Sequence, residues 1–234
     1  MKDNTEFPIC YDCSANLKSM FKKLTNEELI ELTAEKGCAF YKRGEIIFQE
    51  GNRPTGAYCI SSGIIKLYKT GIEGKEQIVK FAKKGDLIGY RSLLSGELAC
   101  TTAKVVNDAR LCFIPASKFL EYMKNNSEFS MELAKIACRE LGEANSFLTD
   151  IAQKTVRERL AEILLYLQNE FGLDRDGYFL ITLTREEIAN IVGTATESII
   201  RLLSEFKDDK YIELSGRKIK ILEENKLKRL AGIF

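Results

Sequence analysis

The sequence predicts an α+β chain in three parts: an N-terminal helix and β-roll over residues 1–126, a long helix over 127–152, and a small helical domain with a β-hairpin over 153–234. Three observations carry this. Between residues 40 and 114, short alternating runs recur at glycine-marked intervals, the texture of a barrel or jelly roll. From 127 to 152, apolar residues keep a helical spacing without a proline. Residues 184–206 then read as two helices about a glycine, followed by a hairpin signal at Ser215-Gly216.

Composition narrows the function. A length of 234 residues allows one large or two modest domains, each able to bury a core, and a net charge of +1 advertises no polyanion partner. Residues 154–234 hold 14 basic and 14 acidic side chains, so any affinity for DNA must come from local placement. No apolar run is long enough to span a membrane, and the first residues are too polar for a signal peptide, so the expected location is the cytoplasm. Histidine is absent, which removes Ser-His-Asp and Cys-His catalysis and histidine-ligated zinc. With no Walker loop or dinucleotide fingerprint either, the chain does not read as an enzyme. The seven cysteines suit reduced thiols, because disulfide frames of that density belong to much shorter secreted chains.

In order, Cys-Tyr-Asp-Cys at 10–13 precedes a helical stretch over 19–35, in which Thr25 and Glu28 form a capping-box signal. Strand runs follow at 46–48, 57–60, 64–68, 77–81, 86–89, 102–106 and 110–114. Cys38, Cys59, Cys100 and Cys138 fall in apolar surroundings and read as small core residues. On the long helix, Phe129, Leu133, Ile136, Cys138, Leu141, Ala144, Leu148 and Ile151 make one broad stripe. A further helix occupies 154–171, after a hinge near 151–155, and a loop fills 172–177.

The stretch 184–206 carries the chemistry. Thr184 with Glu187 is a capping-box start, and Ile188, Ile191 and Val192 give the first helix its apolar side before Gly193. Ile199, Leu202, Leu203 and Phe206 turn the second helix inward, which sets Glu197, Arg201 and Ser204 on the outer face. There an arginine pairs bidentately with guanine and a glutamate accepts from cytosine N4. Glu197 and Arg201, one turn apart, are expected to pair before binding. An alternative stays open: Glu197 lies three residues after Thr194 and also suits a second capping box. The hairpin over 211–222 bears Arg217, Lys218 and Lys220, a wing suited to phosphates or simply a solvated edge.

These residues resemble the CRP/FNR superfamily of bacterial transcription regulators. The match includes Thr-Arg-x-x-Ile-Ala at 184–189, the Gly193 turn and Glu-Ser-x-x-Arg at 197–201. The glycine pattern of the roll, K-R-G-E-I-I-F-Q-E-G with K-K-G-D-L-I-G, is similar to a cyclic-nucleotide-binding domain. The resemblance implies a double-stranded β-helix sensor, a homodimer through the 127–152 helix, and a winged helix-turn-helix on double-stranded DNA, with RNA polymerase as a further partner. It places base reading on Glu197, Ile200 and Arg201, and phosphate contacts on Thr184, Arg185, Thr194, Thr196, Ser198 and Lys218.

It also frames the signal. Cyclic-AMP binders carry a glutamate after the glycine matching Gly89 and an Arg-Ser pair further on; here stand Tyr90 and Cys100-Thr101-Thr102, with Ala144 and Asn145 at the adenine positions. A cyclic phosphate would lack its cationic partner, so another ligand is expected, lined by Gly89, Tyr90, Arg91, Thr101, Thr102 and Asn145. Oxygen-sensing FNR-type members hold an iron–sulfur cluster on four cysteines. Cys10, Cys13 and Cys112 match three of them, and Ser19 stands where the fourth would fall, which leaves a metal or redox role as the alternative signal.

Overall fold

A computed structural model describes residues 9–13, 15 and 19–233. The chain divides into two compact units, Met1–Gly74 with Ile78–Leu141 and Lys75–Gln77 with Gly142–Phe234. In the first, a 3-10 turn at Met20–Lys23 precedes α1 (Asn26–Glu35). The sequence suggests one helix from residue 19, but Leu24 is extended and Thr25 caps a new start. Its hydroxyl accepts from the Glu28 amide while Glu28 reaches back, so the capping signal marks the true N-terminus.

The roll is built from β1 (Gly37–Tyr41), β2 (Ile46–Phe48), β3 (Gly56–Thr70), β4 (Glu76–Ala82), β5 (Leu87–Ile88) and β6 (Thr102–Pro115). They form one six-stranded sheet on the path β1-β6-β3-β4, with β2 also paired to β6 and β5 to β3. The runs at 57–60 and 64–68 are a single strand, as are 102–106 and 110–114. β3 and β6 pair antiparallel from Gly56↔Pro115 to Tyr68↔Thr102, with register shifts between Ile60 and Ile65. The sequence pattern breaks at Gly63 and at Asn107-Asp108 because the ribbon bulges there. The Ile64 amide donates to the Asn107 side-chain oxygen at 2.6 Å.

Two helices absent from the sequence reading, α2 (Tyr90–Ser95) and α3 (Ala116–Asn125), complete this unit with the first part of α4 (Ser127–Gln153). Ile60, Ile65, Ala103, Val105 and Leu111 fill one core cluster along the ribbon. Phe21, Leu32, Tyr90, Phe119, Phe129 and Leu133 fill another, where Phe119 and Phe129 meet edge to face at 5.8 Å. Lys118, almost wholly buried, holds Glu31 of α1, with Glu121 at 3.2 Å and Glu35 at 3.7 Å.

The apolar stripe of α4 proves to be two stretches along its length, the first buried and the second bare. Phe129 and Leu133 are buried, whereas Cys138, Leu141, Ala144, Leu148 and Ile151 are exposed. Ala134, Leu141 and Leu148 recur every seven residues, and so do Ala137, Ala144 and Ile151 three positions on, the spacing of a coiled-coil seam.

The second unit contains α5 (Val156–Phe171), α6 (Arg185–Val192), α7 (Thr196–Asp208), a hairpin of β7 (Ile212–Ser215) with β8 (Lys218–Ile221), and α8 (Glu224–Ala231), which the sequence reading lacked. Leu160, Leu164, Ile188, Ile199, Leu203, Phe206, Ile212 and Leu227 are all buried within it.

The bulge in β3 is sensitive to one added carbon. Gly63 has φ +93°, and a Cβ there would lie 2.5 Å from the Ala109 Cβ and 2.8 Å from the Asp108 carbonyl oxygen. Gly63→Ala is expected to destabilise the roll by about 2 kcal/mol or more, from left-handed strain and overpacking together. A urea titration checks this; an unmoved midpoint would mean that the ribbon yields at no cost.

Candidate nucleic-acid interface and sensor residues

Helix α7 starts at Thr196 with Ala195 as a cap that makes no side-chain bond. The alternative capping box from Thr194 to Glu197 therefore does not form, and Glu197 stays exposed in the first turn. Glu197, Arg201 and Ser204 are exposed together, and Ile200 beside them is 50% exposed. Ile199, Leu202, Leu203 and Phe206 occupy the opposite side, none more than 6% exposed. The Arg201 guanidinium pairs with Glu205 at 3.3 Å, not with Glu197 as the spacing suggested. Either carboxylate lies one turn away, and Glu205 is already fixed by Arg157 at 2.7 Å. Arg157 in turn holds Asp209 at 3.0 Å and lies over the Phe206 ring. Arg201 is thus anchored from behind, and Glu197 has no pairing among the described residues.

The supporting residues have their own geometry. The Thr184 hydroxyl accepts from the Glu187 amide, so it starts α6 by capping. Arg185 donates from Nη2 to the Gly216 carbonyl at the wing turn, while its buried Nη1 has no partner among the described residues. Burial draws the Arg185 pKa down. Thr194, Thr196 and Ser198 are half-buried about the turn between α6 and α7. Lys218 is exposed but paired with Asp174 at 3.0 Å, and both Lys218 and Lys220 lie over the Tyr178 ring. Lys218, followed by the Tyr178 amide, holds the Asp174 carboxyl below the usual carboxylate range. Arg217 is the wing cation with no such pairing among the described residues.

Sequence reasoning passed over Arg159. It is buried in α5, and its guanidinium donates to Val192 O at 3.0 Å, Lys154 O at 2.7 Å and Gly193 O at 3.3 Å. Two of these are carbonyls at the end of α6, which a helix leaves without partners and which favour a cation. Gly193 itself is left-handed at φ 74°. The arginine therefore holds the turn that sets α7 against α6. Its place in Val-Arg-Glu-Arg-Leu looks like a solvated helix face, and no local signal marks it.

In the roll, Gly89 is left-handed and caps α2, and Tyr90 is buried with its hydroxyl donating to Glu140 at 2.7 Å. Burial, then the Glu140 carboxylate, raises the Tyr90 pKa, and Glu140 also accepts from Lys80 at 2.5 Å. Thr101 and Thr102 are buried, and the Thr102 hydroxyl accepts the Glu50 amide. Arg91 and Asn145 are exposed. The expected ligand-lining residues are thus divided: Tyr90 and Thr102 serve the protein's own network, and Arg91 and Asn145 face solvent.

The cysteines gather more tightly than expected. Cys10, Cys13, Ser19, Lys36, Cys59 and Cys112 line one pocket, and the sulfurs of Cys38 and Cys112 lie 2.7 Å apart. Cys38, in contact with Cys112, is therefore not an inert core residue; Cys59 packs against the core as expected, and Cys138 is exposed. Ser19 is buried, with its oxygen accepting the Phe21 amide. Among the described residues no three thiols or carboxylates converge at ligating distance, and Cys112 is engaged with Cys38. This arrangement does not fit an iron–sulfur cluster held by Cys10, Cys13 and Cys112. The Cys112 contact, ahead of opposing desolvation, draws the Cys38 pKa down with help from Lys36; Cys112 moves up. Burial raises Cys59 to about 12. Desolvation opposes the Lys36 ammonium, but Cys112, Cys10 and Cys38 outweigh it and raise its pKa.

Comparison with known proteins agrees with this architecture. Residues 39–126 match the model of the cyclic nucleotide-binding domain, and residues 158–230 that of the Crp-like helix-turn-helix domain. Electron transport regulator A of Shewanella oneidensis is 30% identical over 229 residues, 95% of this chain and 90% of its own. The transcriptional activator protein Anr of Pseudomonas protegens is 26% identical, covering 99% of this chain and 92% of its own. A CRP/FNR-family transcriptional regulator from Thermus thermophilus shares the fold at a TM-score of 0.72 and 24% identity, over 84% of this chain and 98% of its own. A roll of the cyclic nucleotide-binding kind, a long helix and a Crp-like helix-turn-helix, matched nearly end to end by such regulators, place this chain in the CRP/FNR family of transcription regulators.

Proposed function

We propose that this regulator binds double-stranded DNA as a homodimer and reads each half of a palindrome with Arg201 and Glu197. The exposed Glu197-Ile200-Arg201 face, backed by four buried apolar residues, carries this reading. Arg201 takes guanine O6 and N7, Glu197 accepts from cytosine N4, and Ile200 packs on a thymine methyl. Thr194, Thr196, Ser198, Lys218 and Arg185 meet phosphates, while Thr184 acts by capping.

One recognition helix spans few base pairs, and two related by a two-fold reach half-sites one DNA turn apart. The exposed seam of Leu141, Ala144, Leu148 and Ile151 supports a parallel pairing of α4. The sensor answers to a signal other than cyclic AMP. The 100–102 stretch has no arginine for a phosphate, and the Tyr90 side chain is committed to Glu140. RNA polymerase is the further partner that family membership implies, and the regulator acts in the cytoplasm.

Arg201→Ala is expected to cost roughly 1–3 kcal/mol on a selected palindrome and to relax preference at one guanine. Unchanged discrimination in a competition binding assay would sink the assignment. Asp174→Asn keeps the loop acceptor but releases Lys218, so binding should tighten on all sequences alike, with a salt slope steeper by about one; tightening confined to one sequence would contradict a phosphate role. Leu141→Lys with Leu148→Lys should give a folded monomer in sedimentation velocity, whereas a persisting dimer would rule out this seam.

A further inference from the structure

Three strands of the N-terminal unit bring three cysteines into one row. Cys38 faces Cys112 across β1 and β6, and Cys59 faces the same Cys112 across β3 and β6. Directly opposed residues on antiparallel strands share a face, and their Cα separation falls within the roughly 4.4–6.8 Å that a disulfide spans. The Cys38 sulfur lies 2.7 Å from that of Cys112. That gap is less than an ångström beyond the S–S bond length of about 2.05 Å.

The surroundings suit thiol chemistry rather than passive packing. Cys112 reaches a pocket shared with Cys10, Cys13 and Lys36, and Cys38 is only half-buried. The Lys36 ammonium donates to the Cys10 sulfur and acts by charge on both Cys38 and Cys112. A nearby cation of this kind favours the thiolate, the reactive form.

We propose that Cys38 and Cys112 form a reversible disulfide on reaction with a peroxide, so that the sensor unit carries a two-electron redox site. The Cys38 thiolate attacks a peroxide oxygen; an S–O bond forms, the O–O bond breaks, and the departing hydroxide is protonated to water. The Cys112 sulfur then attacks the sulfenic sulfur. The S–S bond forms, the S–O bond breaks, and hydroxide leaves with the thiol proton as water. Two thiols lose two electrons and hydrogen peroxide becomes two waters. Cys59, on the other side of Cys112, is the competing partner, and the direct sulfur contact of Cys38 with Cys112 decides between them.

The test treats the reduced full-length protein with stoichiometric hydrogen peroxide, quenches in acid, alkylates the remaining thiols and maps peptides by non-reducing mass spectrometry. The expected product joins the Cys38 and Cys112 peptides, lowers the free thiols from seven to five and reverts with dithiothreitol. Cys59→Ser should leave that product unchanged, and Cys38→Ser should abolish it. A dominant Cys59–Cys112 or Cys10–Cys13 linkage, or Cys38 and Cys112 both still alkylated after the peroxide is consumed, would overturn the proposal. The wild-type map decides by itself if a variant fails to fold. No DNA is involved, so this outcome is independent of the operator-reading assignment.

Discussion

The N-terminal unit depends on the pairing of β3 with β6. These two long strands run together from Gly56↔Pro115 to Tyr68↔Thr102, and every other strand of the sheet pairs with one of them. A ribbon of that length has to bend to close a roll, and the bulge about Gly63 and Asn107 supplies the bend. The side-chain alternation shifts there, which lets both halves bury their apolar residues. The same ladder aligns Cys38, Cys112 and Cys59, so the redox chemistry inferred for them is a product of strand register.

In the second unit, packing compels presentation. A helix that buries Ile199, Leu202, Leu203 and Phe206 has no choice about what the other side shows. Glu197, Ile200 and Arg201 reach solvent because the four apolar residues do not. The setting of that helix rests on Arg159, whose three carbonyl partners span the end of α6 and the start of α5. A buried guanidinium with well-placed acceptors contributes positional definition more than net stability.

Electrostatics follow the near-zero net charge. Basic groups of α5, α7 and the wing are matched within the chain: Arg157 and Arg201 with Glu205, and Lys218 with Asp174. Exposed pairs like these are each worth little, about 0–1 kcal/mol, and exchange readily for phosphate.

The helix-turn-helix was almost wholly legible in the sequence. Its determinants are local: the Thr184–Glu187 capping box, the left-handed Gly193, and a four-residue apolar repeat each act within a turn or two of themselves. The hairpin about Gly216 and the length of α4 were legible for the same reason. The roll was legible as a texture, but β3 and β6 read as four runs because a bulge imitates a turn along the chain. The split of the α4 stripe into a buried first stretch and a bare second one required knowing what α4 packs against. The partner of Arg201 was ambiguous between two carboxylates one turn away, and Arg157, distant in sequence, settled it. The sequence by itself determined the two helices and turn of residues 184–206, the wing hairpin and the length of α4, and hence the outward residues of α7. Only the tertiary structure decided that Arg159 clamps the turn and that Cys38, Cys59 and Cys112 stand in one row, because those contacts join residues 33 to 74 positions apart through strand register and helix packing.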